Sequence, residues 1–306
     1  MQRRQLLKNL GYVQGMSLLP DFSGNSSSKN TPKRVLRIAH ITDVHLHSLI
    51  GAAKGFEKCL HHIQNLTEKP DFIINSGDCI MDGHGHQNTK VKRQWELFQN
   101  VIKNENSLPI YSCVGNHDIC CEGNSEKTFE DGKRWAMDEI AIEKPYYSFD
   151  KNDWHFTFLD SVQKKNDGSW YTANLGEEQT DWLKKDLSNT DKNTIIISHI
   201  PILSACVFFD GSNMKNEKWE LPGSWMHTDA KDISELFNHH KKVKLAISGH
   251  IHLTDRVDYN GVSYFCNGAV SGRWWAGKYQ HTPPGYAVVD LFDDGTFCNN
   301  YIEYKN

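Results

Sequence analysis

Five stretches of the sequence place carboxylate, amide or imidazole side chains directly after apolar runs. In the first, Ile41 leads into Thr42-Asp43-Val44-His45, so that a carboxylate and an imidazole stand two residues apart. The other four are Ser76-Gly77-Asp78, Gly115-Asn116-His117-Asp118, Ser198-His199 and Ser248-Gly249-His250-Ile251-His252. Mixed oxygen and imidazole donors suit Mn, Fe or Zn, whereas Ca²⁺ takes oxygen ligands and soft sites take thiolates. This chemistry predicts a transition-metal site.

Each stretch alone carries little weight, because polar residues are common where a strand meets a loop. If Asp43 and His45 lie in an extended segment, their side chains share one side of the chain. Five apolar strands that all end in such donors would direct them to the same edge of a sheet, which is where α/β folds place their sites. The combination therefore predicts one shared site.

The elements that must hold these residues are short β-rich runs alternating with amphipathic stretches, a pattern typical of an α/β domain. Strands are predicted over residues 35–42, 71–75, 109–114, 194–198 and 243–248, helices over 52–66, 89–103 and 176–187, and hairpins over 146–159, 257–266 and 286–304. Two packed mixed β-sheets flanked by helices would accommodate these elements.

In this order, the motifs D-x-H, G-D, G-N-H-D, H and G-H-x-H resemble those of the calcineurin-like metallophosphoesterase superfamily over residues 36–252. The resemblance implies a four-layer αββα sandwich that holds two divalent metal ions (Mn, Fe or Zn). It also implies an enzyme that cleaves phosphoester bonds by attack of a hydroxide bridging these ions. It assigns the first ion to Asp43, His45 and His252, the second to Asn116, His199 and His250, and the bridging position to Asp78.

Within that resemblance His117 binds no metal. It follows the predicted ligand Asn116, so we expect it either to protonate the leaving alkoxide or to hold a phosphate oxygen. The alternative is an ordinary loop histidine. Asp118 is the expected partner that fixes the tautomer of His117.

Two branches of the superfamily are disfavoured. Purple acid phosphatases carry a tyrosine three residues after the bridging aspartate, where this chain has Met81. Protein Ser/Thr phosphatases carry arginines beside the G-D and G-N-H motifs, and this chain has none there. The chain instead resembles the bacterial branch related to cyclic-nucleotide phosphodiesterases, which predicts a small phosphodiester as substrate. The alternatives are a small-molecule phosphomonoesterase and, in a different class, a non-catalytic metal- or phosphate-binding protein.

Three further residues are candidate substrate contacts. In the glycine-flanked loop 267–275, Arg273 could bind a phosphate and Trp274 could stack on a base. The alternative is that the tryptophans of this loop fill the edge of the core. His84 could contact substrate or be a solvated loop residue. Residues 204–225 are predicted to form a cap that sets specificity.

Composition narrows the class of partner. The chain has 34 basic and 38 acidic residues and a formal charge of -4, so it lacks the basic surface that binds nucleic acid, and no specific nucleic-acid binding is expected. No stretch after the N-terminal segment approaches the roughly 20 apolar residues of a membrane span. The eight cysteines are scattered without a C-x-x-C pair, which excludes a zinc ribbon and favours free, buried thiols.

The first 31 residues read differently from the rest. Arg3-Arg4-Gln5-Leu6-Leu7-Lys8 resembles a twin-arginine export signal and precedes a polar linker. A disordered basic arm is the alternative. We therefore predict residues 1–31 as an export signal or arm, and 32–306 as a single metallophosphoesterase domain with C-terminal hairpins. The signal would make the protein periplasmic or exported; without it the protein would be cytoplasmic.

Overall fold

Two mixed β-sheets form the centre of the protein in the computed structural model, which describes residues 31–48, 51–167, 170–209 and 213–304. The predicted N-terminal segment lies outside these residues except for Thr31, so its role and the boundary at residue 32 stay predictions. Along the chain the elements are β1 (Arg34–Ile41), α1 (Ala52–Gln64), β2 (Phe72–Asn75), α2 (Asn88–Glu105), β3 (Ile110–Ser112), α3 (Phe129–Glu139), β4 (Tyr147–Lys151), β5 (Trp154–Phe158), β6 (Val162–Lys164), β7 (Tyr171–Ala173), α4 (Gly176–Ser188), β8 (Asn193–Ile197), β9 (Met214–Lys215), β10 (Lys218–Trp219), α5 (Ala230–His239), β11 (Val243–Ser248), β12 (Asp255–Tyr259), β13 (Val262–Cys266), β14 (Gly285–Phe292) and β15 (Phe297–Glu303).

Each sheet combines a run of parallel strands with antiparallel strands along at least one margin. The first has the order β15-β14-β1-β2-β3, with β1, β2 and β3 parallel and β14 antiparallel to β1. The second has the order β12-β13-β11-β8-β5-β4, with β5, β8, β11 and β13 parallel. The carboxyl ends of the parallel strands in each sheet therefore lie at one edge, where α/β folds bind ligands.

The inner layer lies between the two sheets. Because these strands are buried on both faces, they read as continuous apolar runs, as in the four buried residues of β2. The side chains that meet in this layer are fully or almost fully buried and include Ile38, Phe72, Ile74, Phe156, Ile195 and Ile247.

Helices cover the two outer faces. Helix α1 buries Ala52, Phe56, Leu60 and Ile63, which are three or four residues apart and so share one face of the helix. This face joins a cluster that contains residues of α2, β1 and β2. On the other side α4 and α5 share a cluster with β8 and β11. The predicted αββα sandwich is confirmed.

The predicted strands and long helices agree with the structure to within one or two residues at most ends, and β11 has the same bounds as the predicted strand over 243–248. Two helices, α3 and α5, were not predicted. Helix α3 begins with a capping box in which Thr128 and Asp131 each bond the backbone of the other, and this T-x-x-D signal is present in the sequence.

The eight cysteines are free, and all but Cys298 are buried. Within the described residues, no helix has the length and apolar character needed to cross a bilayer.

Candidate metal centre

The loops after β1, β2, β3, β8 and β11 bring the seven predicted metal ligands together. The donor atoms of Asp43, His45 and His252 lie within 4.8 Å of one another, and so do those of Asp78, His199 and His250. The seventh, Asn116, is buried, with its Oδ1 atom 2.9 Å from His199 Nε2. Strands of both sheets thus contribute to a single cluster.

Five of these residues have left-handed backbone conformations. Asp43, His45, Asp78, His250 and His252 have φ angles between 47° and 71°. The expectation that the D-x-H segment is extended is therefore wrong, because the chain turns sharply as it leaves β1. Such angles are uncommon for non-glycine residues and cost free energy that the surrounding structure must offset. They are typical of functional sites, where the backbone is bent to aim side chains at one point.

Each carboxylate in the cluster has one oxygen fixed by protein hydrogen bonds. Asp43 Oδ2 accepts bonds from Thr42 Oγ1 at 2.7 Å and from the His250 amide at 2.8 Å. Asp43 Oδ1 is buried without a hydrogen-bond partner and lies 3.3 Å from His252 Nε2. A buried carboxylate oxygen without a donor is costly unless a cation binds it. This orphaned oxygen fits a metal ligand.

The two carboxylate oxygens of Asp78 also have different surroundings. Its Oδ1 atom accepts the His117 amide at 2.8 Å. Its Oδ2 atom lies 3.5 Å from His45 Nε2 and 3.3 Å from His199 Nε2. A single oxygen thus lies between the two groups of donors, which is the position required of a bridging ligand.

The imidazoles approach one another through nitrogen atoms. His45 Nε2 lies 3.0 Å from His252 Nε2, and His250 Nδ1 lies 3.2 Å from His199 Nε2. Donors that are each about 2.1 Å from one ion stand roughly 3.0 to 3.4 Å apart, so these separations suit shared coordination. The donor set of carboxylates, one amide oxygen and imidazoles therefore fits divalent transition-metal ions.

Two of the rings have their tautomer set by the backbone. His252 Nδ1 donates to the Gly272 carbonyl at 2.7 Å, and His199 Nδ1 donates to the Ser76 carbonyl at 2.9 Å. In both rings this leaves Nε2 directed at the cluster. Hydrogen bonds of this kind orient metal-binding histidines in many proteins.

Burial and charge determine which rings are neutral. Burial lowers the pKa of His45 to about 4 and that of His250 to about 3, so both are neutral and able to bind a metal at ordinary pH. Burial also opposes protonation of His199, but the adjacent Asp78 carboxylate outweighs it and raises the pKa of His199 to about 9. A divalent ion bound there would displace that proton, since a metal ligand must be deprotonated.

Asp118 lies elsewhere than expected. Its carboxylate accepts backbone N–H bonds from Asp78 (3.0 Å), Cys79 (2.8 Å), Ile80 (3.3 Å) and Gly115 (2.9 Å), and so ties the G-D loop to the G-N-H-D loop. The carboxylate that faces the His117 ring belongs to Asp82, whose Oδ1 atom is 3.6 Å from His117 Nδ1. The His117 ring also contacts His45 edge-on, with 4.7 Å between centroids.

A cavity of about 220 Å³ lies over the cluster. Asp78, Asn116, His117, His250 and His252 line its base. Its remaining walls are largely aromatic and aliphatic: Trp170, Tyr171, Cys206, Trp225, Ile251, Leu253, Trp274 and Tyr279, with Gln280.

Some of the candidate substrate contacts line the cavity and others do not. Trp274 lines the cavity, whereas Arg273 is exposed and is not among the lining residues. His84 stacks behind the cavity wall on Trp170. Trp275 packs into the core edge and donates to the His45 carbonyl at 3.1 Å. The predicted cap contributes Cys206 and Trp225 to the cavity.

The family follows from comparison of the whole chain with known proteins. The model of the family described as calcineurin-like phosphoesterase matches residues 36–253. The chain belongs to the calcineurin-like phosphoesterase family. It is accordingly a hydrolase of phosphoester bonds, in a family that depends on two metal ions.

Three curated relatives of this family member have the names of bacterial phosphodiesterases. It is 28% identical to a "Probable cyclic nucleotide phosphodiesterase" of Synechococcus sp., over 92% of this chain and 94% of the relative. It is 24% identical to a "3',5'-cyclic-nucleotide phosphodiesterase" of Nostoc sp., over 87% and 91%. A "Probable glycerophosphodiester phosphodiesterase GpdQ" of Arcobacter nitrofigilis is 23% identical over 74% and 75%.

Solved structures show the same fold. A dimetal phosphatase from Danio rerio superposes with a TM-score of 0.61 at 15% identity, over 89% of this chain and 100% of that one. A purple acid phosphatase from yellow lupin superposes with a TM-score of 0.58 at 15% identity, over 88% of this chain and 51% of that one. At these identities the likeness supports the architecture alone.

Proposed function

We propose that this protein is a dinuclear phosphodiesterase of the cyclic-nucleotide type. Asp43, His45 and His252 would hold one ion and Asn116, His199 and His250 the other, with Asp78 shared. The observation that carries this assignment is the position of Asp78 Oδ2, 3.5 Å from a nitrogen of the first group and 3.3 Å from a nitrogen of the second.

Two divalent ions bound there would lower the pKa of a coordinated water and neutralise charge on the phosphoryl oxygens. The protein supplies position and a proton. Asp43 and Asp78 each hold one oxygen on backbone amides, so their free oxygens are aimed before any ligand arrives. His117 lines the cavity beside Asp78 and would donate a proton to the leaving oxygen, with Asp82 orienting its ring.

The cavity favours a diester over a monoester. None of the described residues that line it is a lysine or an arginine. A phosphomonoester carries up to two negative charges, whereas a diester, cyclic or open, carries only one and is the more apolar ligand at the phosphate. Aromatic walls with few cationic groups suit the second kind of ligand. The names of the bacterial relatives agree with this choice.

The test compares the two ester classes directly. Metal-stripped protein is assayed on bis-p-nitrophenyl phosphate, p-nitrophenyl phosphate and adenosine 3',5'-cyclic monophosphate, with Mn, Fe or Zn restored one at a time. Asp78→Asn removes the shared ligand, and Asp153→Asn, at an exposed hairpin turn, is the matched control. We expect metal-dependent turnover with preference for the diesters, lost in Asp78→Asn alone. Preference for the monoester would make the protein a small-molecule phosphatase, and metal binding without turnover would make it a binding protein.

A further inference from the structure

Trp170 is held in the cavity wall by a stacked histidine. The rings of Trp170 and His84 lie 3.9 Å apart between centroids with 15° between their planes. His84 is itself held, with Nδ1 3.7 Å from Cys121 Sγ and Nε2 3.8 Å from Glu122 Oε2. One face of the indole is therefore covered by protein while the residue lines the cavity. A planar surface that is already fixed costs little entropy when a ligand packs on it.

Trp170 lies beside the proposed proton donor. The centroids of Trp170 and His117 are 6.2 Å apart with the planes at 81°. If His117 protonates the leaving oxygen, the organic group bonded to that oxygen must emerge next to His117. Trp170 is the cavity-lining tryptophan in ring contact with His117, so that organic group meets its indole first.

Trp274, another tryptophan that lines the cavity, belongs to a different part of it. Trp274 contacts the ring of His252 at 4.6 Å and that of Tyr279 at 5.7 Å. It is therefore close to ligands of the first ion. Trp170 and Trp274 therefore lie beside different parts of a bound ester, and Trp170 is the one next to the oxygen that His117 would protonate.

We propose that Trp170, braced by His84, is a specificity-determining residue that packs against a planar group carried by the alcohol whose oxygen leaves phosphorus. It favours a cyclic nucleotide, in which the ribose that bears the departing oxygen carries the base and stays bonded to phosphorus through its other ester oxygen, over a glycerophosphodiester, whose ester groups are aliphatic. This inference rests on the proposed function. Stacking of a base on an aromatic side chain is commonly worth a factor of about ten or more in affinity.

The experiment measures kcat and KM of Mn²⁺-loaded protein on adenosine 3',5'-cyclic monophosphate and on glycerophosphocholine. The variants are Trp170→Leu, Trp170→Phe and the matched control Trp182→Leu, a partly buried tryptophan on α4 that packs on Tyr146 outside the cavity. We expect Trp170→Leu to reduce kcat/KM for the cyclic nucleotide by about tenfold or more, mainly through KM. Trp170→Phe keeps an aromatic ring and should retain most of the kcat/KM for the cyclic nucleotide. Glycerophosphocholine turnover should change by less than about twofold in all three variants.

A binding measurement separates this inference from the proposed function. Isothermal titration with adenosine 5'-monophosphate and with glycerol 3-phosphate compares ligands that share a phosphate and differ in the planar group. Selective loss of nucleotide binding in Trp170→Leu supports the proposed role of Trp170, even if the wild type hydrolyses neither diester. The absence of hydrolysis would contradict the proposed function alone. Equal losses for both ligands and both substrates, or no loss, would overturn the role of Trp170, whereas diester hydrolysis by the wild type would still support the proposed function.

Discussion

His117 Nδ1 lies 3.6 Å from Asp82 Oδ1, and His117 lines the cavity beside Asp78 of the metal cluster. Hydrogen bonds from helix α2 hold the backbone of Asp82 in this position. Gln94 on α2 accepts the Asp82 amide at 3.2 Å and donates to the Asp82 carbonyl at 2.9 Å. The helix therefore fixes the backbone of the residue whose carboxylate faces the His117 ring.

The first prediction concerns this pair. His117→Asn should lower kcat for an ester with a poor leaving group by about 100-fold or more, because the leaving alkoxide loses its acid. Asp82→Asn should lower it by about tenfold, since the ring loses its orienting charge. Turnover of bis-p-nitrophenyl phosphate, whose leaving group needs little protonation, should fall much less in both. Asp153→Asn is the control, and equal losses on the two substrates would refute the acid role.

The second prediction separates Asp118 from Asp82. Because four backbone amides donate to the Asp118 carboxylate, Asp118→Asn replaces one accepting oxygen with a donor and leaves buried N–H groups unpaired. We expect a loss of about 3 kcal/mol in the free energy of unfolding, measured by urea denaturation, together with weaker metal binding. Asp82→Asn should cost about 1 kcal/mol or less, because its carboxylate is partly exposed. If Asp118→Asn lowered kcat with stability and metal content unchanged, Asp118 would be the residue that orients His117.

The third prediction concerns the close approach of the G-D and G-N-H-D loops. A Cβ atom at Gly115 would collide with the backbone nitrogen and Oδ1 of Asp78. Gly115→Ala should therefore displace the shared carboxylate and lower metal content and kcat together by about tenfold or more. Losing a contact that orients a metal ligand commonly has an effect of this size. Gly261→Ala is the matched control: its added Cβ meets no atom within 4 Å, but its φ of +84° is strained. It should cost about 1 kcal/mol of stability and leave metal content unchanged, as measured by metal analysis.

How much of this site could be predicted differs from residue to residue. The parallel strands had strong signals, because the apolar runs of β11 and β13 are bounded by turn residues, and their ends located the polar motifs. The left-handed φ of Asp43 had no such signal, since aspartate adopts that conformation only where neighbouring loops hold it. Trp170 likewise could not be found, because it reaches the cavity only through the short hairpin of β6 and β7. Contacts between loops distant in sequence, such as that of Asp82 with His117, follow from the fold rather than from spacing.

The last prediction tests the electrostatics of the second sheet, away from the metal centre. His155 on β5 bonds Asp150 through Nδ1 at 2.7 Å and Asp186 through Nε2 at 2.9 Å. Burial opposes protonation of this ring, but Asp186 and Asp150 outweigh it and raise the pKa of His155 above its usual 6.5. A group whose pKa is raised by folding stabilises the native state while it is protonated. Its contribution is complete below the unfolded pKa and is lost as pH rises through the folded pKa.

The measurement is the difference in unfolding free energy between wild type and His155→Gln, from urea denaturation between pH 5.5 and about 9. The difference should be largest near the acid end and should shrink as the pH rises past 6.5 and through the raised pKa of His155. His61→Gln serves as the control because His61 bonds Glu105 at an exposed position, where an ion pair is worth little. A difference that stayed constant or grew with pH would show that His155 is held as a neutral ring, with packing rather than charge as its contribution.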